Sequence, residues 1–101
     1  MSRARQRGKA HERAIAKRLA GRRVGVTGLA TCDVVSEEFA AECKERAALP
    51  AWLTGAMEQA ERNAPAGLTP LVVLHELSRR HDGDLVVLRL REFEELCGEV
   101  K

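Results

Sequence analysis

Aromatic residues are scarce in this chain of 101 residues: Trp52, Phe39 and Phe93 are its only Phe or Trp residues, and tyrosine is absent. A hydrophobic core must therefore be assembled mainly from Leu, Val, Ala and Ile. A chain of this length can bury one such core but has no room for a second. We expect a single domain with an aliphatic core.

Cysteine is scarce as well. Cys32, Cys43 and Cys97 form an odd set, and no two of them have CxxC spacing. Such a set is typical of reduced thiols in a cytoplasm and not of a disulfide framework. The few histidines fall in no zinc-ligand spacing, which argues against a zinc site.

Long apolar runs are missing too. No stretch approaches membrane-spanning length, and the arginine-rich start lacks the apolar core of a signal peptide. An amphipathic transit peptide is an open alternative that nothing in the sequence requires. We expect a soluble, cytoplasmic protein with no membrane partner.

Basic residues are concentrated near the start of the chain. Residues 1–23 contain nine Lys and Arg residues and the single acid Glu12, whereas the remainder contains eight basic and fourteen acidic residues. A basic region on a mildly acidic body favours a polyanion partner, nucleic acid first. The alternative is a solubilising tail. The basic residues are Arg3, Arg5, Arg7, Lys9, Arg13, Lys17, Arg18, Arg22 and Arg23.

The basic region divides into a flexible arm and a helix. Residues 1–8 have no periodic pattern, and we expect a mobile arm preceding a single domain over residues 9–101. From Lys9 to Ala20 the spacing of Ile15, Ala16 and Leu19 predicts a helix, with Glu12 as the one acid on its inward face. Gly21 is expected to end it as a C′ glycine.

Residues 33–44 predict a β-hairpin. If residues 33–35 and 39–44 are antiparallel strands joined by a tight turn, Val34 pairs with Ala41 and Asp33 with Glu42, and Lys44 shares their face. Opposed carboxylates with Cβ atoms about 4.5–5.5 Å apart repel each other. A cation between them, for metal-assisted phosphate chemistry, would explain the pair. The alternative is an exposed ion pair on an edge strand.

The remaining elements complete an α/β pattern. A short strand is predicted over residues 22–26, a second helix over 50–63, a strand buried on both faces over 70–74, and a last strand over 85–88. A closing helix over 90–97 is expected to turn Phe93, Leu96 and Cys97 inward. The predicted order is α-β-β-β-α-β-β-α, a mixed central sheet flanked by helices.

These elements and their polar residues resemble the PD-(D/E)XK nuclease fold. More narrowly, residues 9–97 resemble small Holliday junction resolvase-like endonucleases, including the short ones carried by phages. The resemblance rests on His11-Glu12-Arg13 in the first helix, Asp33-Val34-Val35, Glu42-Cys43-Lys44, and the apolar strand Leu71 to Leu74. It implies a restriction-endonuclease-like core.

The resemblance also implies an activity. The chain is expected to be a metal-dependent, structure-selective DNA endonuclease that hydrolyses phosphodiester bonds, most simply a Holliday junction resolvase. Asp33 and Glu42 would hold Mg²⁺ or Mn²⁺, and Glu12 would complete the site directly or through water. Lys44 would orient the attacking water, whose pKa the metal lowers. The expected catalytic residues are therefore Glu12, Asp33, Glu42 and Lys44.

The resemblance further implies partners. Resolvases of this kind act on branched DNA as two-fold dimers, so a homodimer is expected, and a phage-encoded member would act in the host cytoplasm. The family usually has a Ser-Gly pair where this chain has Thr27-Gly28, which makes Thr27 a candidate phosphate contact. The DNA contacts expected to read shape rather than base sequence are Arg3, Arg5, Arg7, Lys9, Arg13, Arg22, Arg23 and Thr27.

Three other interpretations stay open. A nuclease acting on nicked, flapped or linear DNA would need the same residues. The family usually has Gly before the metal-binding Asp, and Cys32 at that position is the feature that favours a non-catalytic DNA-binding protein on a nuclease-like scaffold. An interaction module with solvated acids would keep Asp33 and Glu42 far apart and exposed.

Overall fold

The computed structural model describes residues 3–25 and 31–98. Within them the chain is an α/β protein, and its helices and strands follow one another in the predicted order. The elements are α1 (Arg3–Arg18), β1 (Arg22–Arg23), β2 (Val34–Val35), β3 (Ala40–Ala41), α2 (Ala51–Asn63), β4 (Val72–Leu74), a 3₁₀ turn (His81–Gly83), β5 (Leu85–Val87) and α3 (Leu90–Cys97).

The strands of the described residues form two separate antiparallel sheets, β1-β2-β3 and β4-β5. The expected mixed central sheet is therefore not observed there. The chain divides into two compact units, Met1–Ala47 with Cys97–Lys101, and Ala48–Leu96. Each sheet pairs strands that are neighbours in sequence and lies within one unit.

The expectation that residues 70–74 form a strand buried on both faces is wrong. β4 pairs only with β5 among the described strands, with Val73 opposite Val86, and Val73 is 58% exposed. The physical reason is that a short apolar run does not determine how many of its faces are covered. Here one face of a two-stranded ribbon stays open.

The first unit is organised by the packing of α1 on β1 and β2. Ala16, Leu19 and Val34 are buried, and Val34 is fully inaccessible. Burying a side chain the size of Val stabilises a fold by roughly 1.5–3 kcal/mol. The predicted inward face of α1 is thus confirmed, although the helix begins at Arg3, earlier than Lys9, so that residues 3–8 are helical.

The end of α1 differs from the predicted C′ glycine. Ala20, not Gly21, has the left-handed backbone conformation, with φ 55°. The Gly21 N–H donates to the Ala16 carbonyl at 2.8 Å and the Ala20 N–H to the Lys17 carbonyl at 3.3 Å, as in a Schellman motif. Gly21 is needed for a different reason: a Cβ there would lie 2.2 Å from the Val35 carbonyl oxygen.

Separate substitutions of Ala20 and of Gly21 should have opposite effects on the free energy of unfolding. Ala20→Gly should raise the free energy of unfolding by about 1 kcal/mol, because Ala20 is exposed and its left-handed backbone is strained. Gly21→Ala should lower it by about 2 kcal/mol, because the new methyl group overlaps backbone. Urea denaturation measures both, and a stabilised Gly21→Ala would contradict the helix end described above.

The second unit is built on α2, which contacts β4 and buries Met57. The Arg89 guanidinium donates two hydrogen bonds to the Glu61 carboxylate, at 3.0 and 3.1 Å, and these bonds lower the pKa of Glu61. They tie α2 to the residue that precedes α3. On α3 itself Leu96 is 62% exposed, so the expectation that it turns inward is wrong.

Candidate nucleic-acid interface and carboxylate cluster

The hairpin over residues 33–44 has the predicted register. Val34 lies opposite Ala41 and Val35 opposite Ala40. Ser36 closes the turn, because its N–H donates to the Phe39 carbonyl at 2.8 Å and its hydroxyl oxygen accepts the Phe39 N–H at 3.0 Å. Two local hydrogen bonds between Ser36 and Phe39 therefore fix the β2-β3 turn.

Asp33 departs from regular pairing. Its N–H donates to the Ala41 carbonyl at 2.9 Å, although Ala41 lies opposite Val34. This one-residue offset is typical of a β-bulge. The Asp33 carboxylate turns along the facing chain, where its Oδ2 accepts the Cys43 N–H at 2.7 Å. Asp33 thus has a backbone partner beside Glu42, in place of the simple cross-strand pair that was predicted.

The three predicted acids all act electrostatically on the Cys43 thiol. Burial raises the pKa of the Cys43 thiol, and the negative charges of Asp33, Glu12 and Glu42 raise it further, in that order. Carboxylates affect a thiol in this way only when they lie near it. Cys43 itself was not among the predicted site residues. The signal was its place inside Glu42-Cys43-Lys44, between two predicted site residues.

Glu12, on the inward face of α1, forms an ion pair with β1. The Arg23 Nε donates to its Oε1 at 2.7 Å, and the two side chains are 21% and 26% exposed. An acid on a strongly basic helix is thereby neutralised by β1. Arg23, predicted as a DNA contact, already has a carboxylate partner.

The predicted Mg²⁺ ligands have suitable chemistry but are not assembled. Carboxylate oxygens are the ligands that Mg²⁺ prefers. In the described part of the chain, however, Glu12, Asp33 and Glu42 do not bring three ligand oxygens within 4.8 Å of one another. One oxygen of Asp33 and one of Glu12 also accept protein hydrogen bonds. The arrangement does not fit a bound Mg²⁺ or Mn²⁺ as it stands, and that site stays a prediction.

Lys44 lies in a groove beside α1. The groove has a volume of about 610 Å³, and Arg7, Lys44 and Arg46 supply its positive charge against the single acid Glu45. Its other lining residues are Gly8, Cys43 and Ala47. Lys44 therefore lies close to α1, on the side of the helix that faces the chain leaving β3.

A second groove, of about 550 Å³, is lined by Arg5, Gly8, Lys9, Glu12 and Arg23. Gly8 lines both grooves, so they meet where α1 has no side chain. We call the two grooves and the exposed side of α1 together the α1 surface. Its further basic members are the exposed residues Arg3, Arg13, Lys17 and Arg18.

The residues predicted to contact DNA lie in different parts of the structure. Arg3, Arg5, Arg7, Lys9 and Arg13 belong to the α1 surface. Arg22 is exposed on β1, whereas Thr27 lies outside the described residues.

No family model matches the chain, and comparisons with curated proteins and with solved structures also find no match. The resemblance to PD-(D/E)XK nucleases therefore stays a prediction that rests on the residues alone. Within residues 3–25 and 31–98, none of the helices has the length and apolar character needed to cross a membrane.

The Cys43 thiol should report the charge of the acids around it. In a Cys32→Ser/Cys97→Ser background, Asp33→Asn or Glu42→Gln should shift the pH profile of iodoacetamide alkylation to lower pH. The reason is that removing a negative charge lowers the raised pKa of Cys43, which increases the thiolate fraction at neutral pH. Glu45→Gln is the control. Equal profiles for all variants would show that the acids do not surround Cys43.

Proposed function

We propose that this chain binds DNA through the α1 surface, by neutralising backbone phosphates. The observation that carries the proposal is the continuity of positive charge across α1: both grooves are basic, and they meet at Gly8. A surface of this kind attracts phosphates irrespective of base sequence.

The helix α1 has a strong excess of positive charge. It contains seven basic residues and one acid, Glu12, which pairs with Arg23 of β1. Exposed Arg and Lys side chains on one rigid element keep their relative positions when they approach a phosphate backbone. A merely solubilising tail would not need a folded scaffold for these charges.

The dimensions of α1 suit a duplex. Its 16 residues extend about 24 Å at 1.5 Å per residue. That length corresponds to roughly seven base-pair steps of 3.4 Å. An α-helix of ordinary diameter also fits the major groove, which is about 12 Å wide. The helix can therefore contact several successive phosphates without bending the DNA.

DNA affinity should fall steeply as the salt concentration rises, and removing basic residues from the α1 surface should make this fall less steep. Arg7→Ala/Lys44→Ala removes two charges from one groove, so the slope of log K against log salt should become less steep by about 2. Fluorescence anisotropy with a labelled duplex and a labelled four-way junction measures this slope.

The matched control is Arg79→Ala/Arg80→Ala, which removes two exposed basic residues of the second unit. The control should bind DNA as the unaltered chain does. Equal losses in both double variants would mean that net charge, and not the α1 surface, governs binding, and would contradict the proposal.

A second candidate function is favoured by the position of Lys44. We infer that the α1 surface presents DNA to the carboxylates around Cys43 for metal-dependent cleavage of a phosphodiester bond, as in a Holliday junction resolvase. Lys44 lines the same groove as Arg7 and adjoins Cys43, on which Asp33, Glu12 and Glu42 act. Lys44 would then compensate the charge of a phosphate held near these acids.

Cleavage should require Mg²⁺ or Mn²⁺ and should be greatest for branched DNA. Four-way, flapped, nicked and linear substrates, each labelled on one strand, should give nicked products that Asp33→Asn and Lys44→Ala abolish with the fold retained by circular dichroism. Glu45→Gln should leave cleavage unchanged.

If cleavage is not observed, the alkylation rate of Cys43 distinguishes a chain that does not bind the metal from one that binds it without cleaving DNA. A divalent ion among the acids should lower the pKa of Cys43 and speed its alkylation at neutral pH, because it offsets their negative charge. An unaltered alkylation rate in Mg²⁺ and Mn²⁺, together with tight binding but no cleavage, would leave a non-catalytic DNA-binding protein.

A further inference from the structure

The second unit contains a cluster of polar side chains for which the proposed function has no use. His75 follows β4, His81 begins the 3₁₀ turn, and Asp84 lies directly before β5. The β4-β5 pairing, with Leu74 opposite Leu85, brings the two strand ends together. The cluster is thus held by the hairpin and its internal 3₁₀ turn.

Both imidazoles are directed at one carboxylate. The His75 Nδ1 lies 2.6 Å from Asp84 Oδ1, and the His81 Nδ1 lies 3.0 Å from Asp84 Oδ2. The two rings are 4.3 Å apart between centroids. Each of the three residues offers a ligand atom within 4.8 Å of the other two, and no other group of three in the described residues does so.

We infer that this cluster binds a divalent transition-metal ion of the Zn²⁺ class. Two imidazoles and one carboxylate are a donor set that suits Zn²⁺, whereas Mg²⁺ prefers oxygen ligands alone. Zn²⁺ binds such atoms at about 2.0–2.2 Å, which sets ligand atoms about 3.4 Å apart in a tetrahedron. The two observed nitrogen–oxygen separations, which involve different oxygens of Asp84, would each need to open by less than about 1 Å.

The exposed fractions of the three side chains fit a metal site that is open to solvent on one side and held by a mostly buried carboxylate on the other. The Asp84 side chain is 13% exposed, that of His75 31% and that of His81 82%. Asp84 is therefore fixed within the hairpin, while His81 is open to an arriving ion. Three protein ligands leave a fourth position for water or for a group on another molecule. Binding would cross-link the 3₁₀ turn to the strand ends.

The test is a titration of the 101-residue chain with Zn²⁺ alone, measured by isothermal titration calorimetry. One ion should bind per chain, and His81→Ala should weaken binding at least about tenfold. His81 is almost fully exposed, so its replacement should leave the fold intact. His11→Ala and Asp82→Asn are the matched controls, one for a histidine outside the cluster and one for an acid within the same turn, and both should bind as the unaltered chain does.

Co²⁺ distinguishes the proposed ligands from the free cysteines. Binding at His75, His81 and Asp84 should give visible d–d bands without a near-ultraviolet thiolate charge-transfer band. The proposal is overturned if Zn²⁺ does not bind, if His81→Ala binds Zn²⁺ unchanged, or if the thiolate band appears and His81→Ala leaves the spectrum unaltered. If Zn²⁺ does not bind, the three side chains serve only to stabilise the hairpin by hydrogen bonds.

Discussion

The burial of Val34 under α1 is the contact on which the first unit depends. Val34 is the middle point of the three-stranded sheet, paired with Arg23 on one side and Ala41 on the other. Its complete burial against the inward face of α1 fixes the helix relative to both neighbouring strands. The α1 surface and the acids around Cys43 are therefore parts of one rigid arrangement, and neither would persist without this small aliphatic core.

Much of this arrangement could be predicted from the sequence because its causes are local. The inward face of α1 follows from helical periodicity, and the hairpin register from strand alternation about a serine-containing turn. The left-handed conformation of Ala20, and the steric requirement for glycine at position 21, could not be predicted in this way. It depends on the close approach of Val35, a contact between residues distant in sequence.

The errors in the second unit have a similar origin. The apolar run before His75 gives the same sequence signal whether one face of a strand is covered or both are, so its burial was overestimated. The cluster of His75, His81 and Asp84 has no familiar ligand spacing, because a 3₁₀ turn and a strand pairing, and not one continuous motif, bring its members together. Its atoms could be associated only after the hairpin was known.

The pairing of Glu12 with Arg23 links the two proposed roles of the first unit. Arg23 lines a groove of the α1 surface, so a DNA phosphate bound there would compete with Glu12 for the same guanidinium. If the phosphate takes Arg23, Glu12 loses its cation, and its charge adds to those of Asp33 and Glu42, which also act on the Cys43 thiol. Under the proposed function, DNA bound at Arg23 would therefore strengthen the negative potential that these acids present to a divalent ion.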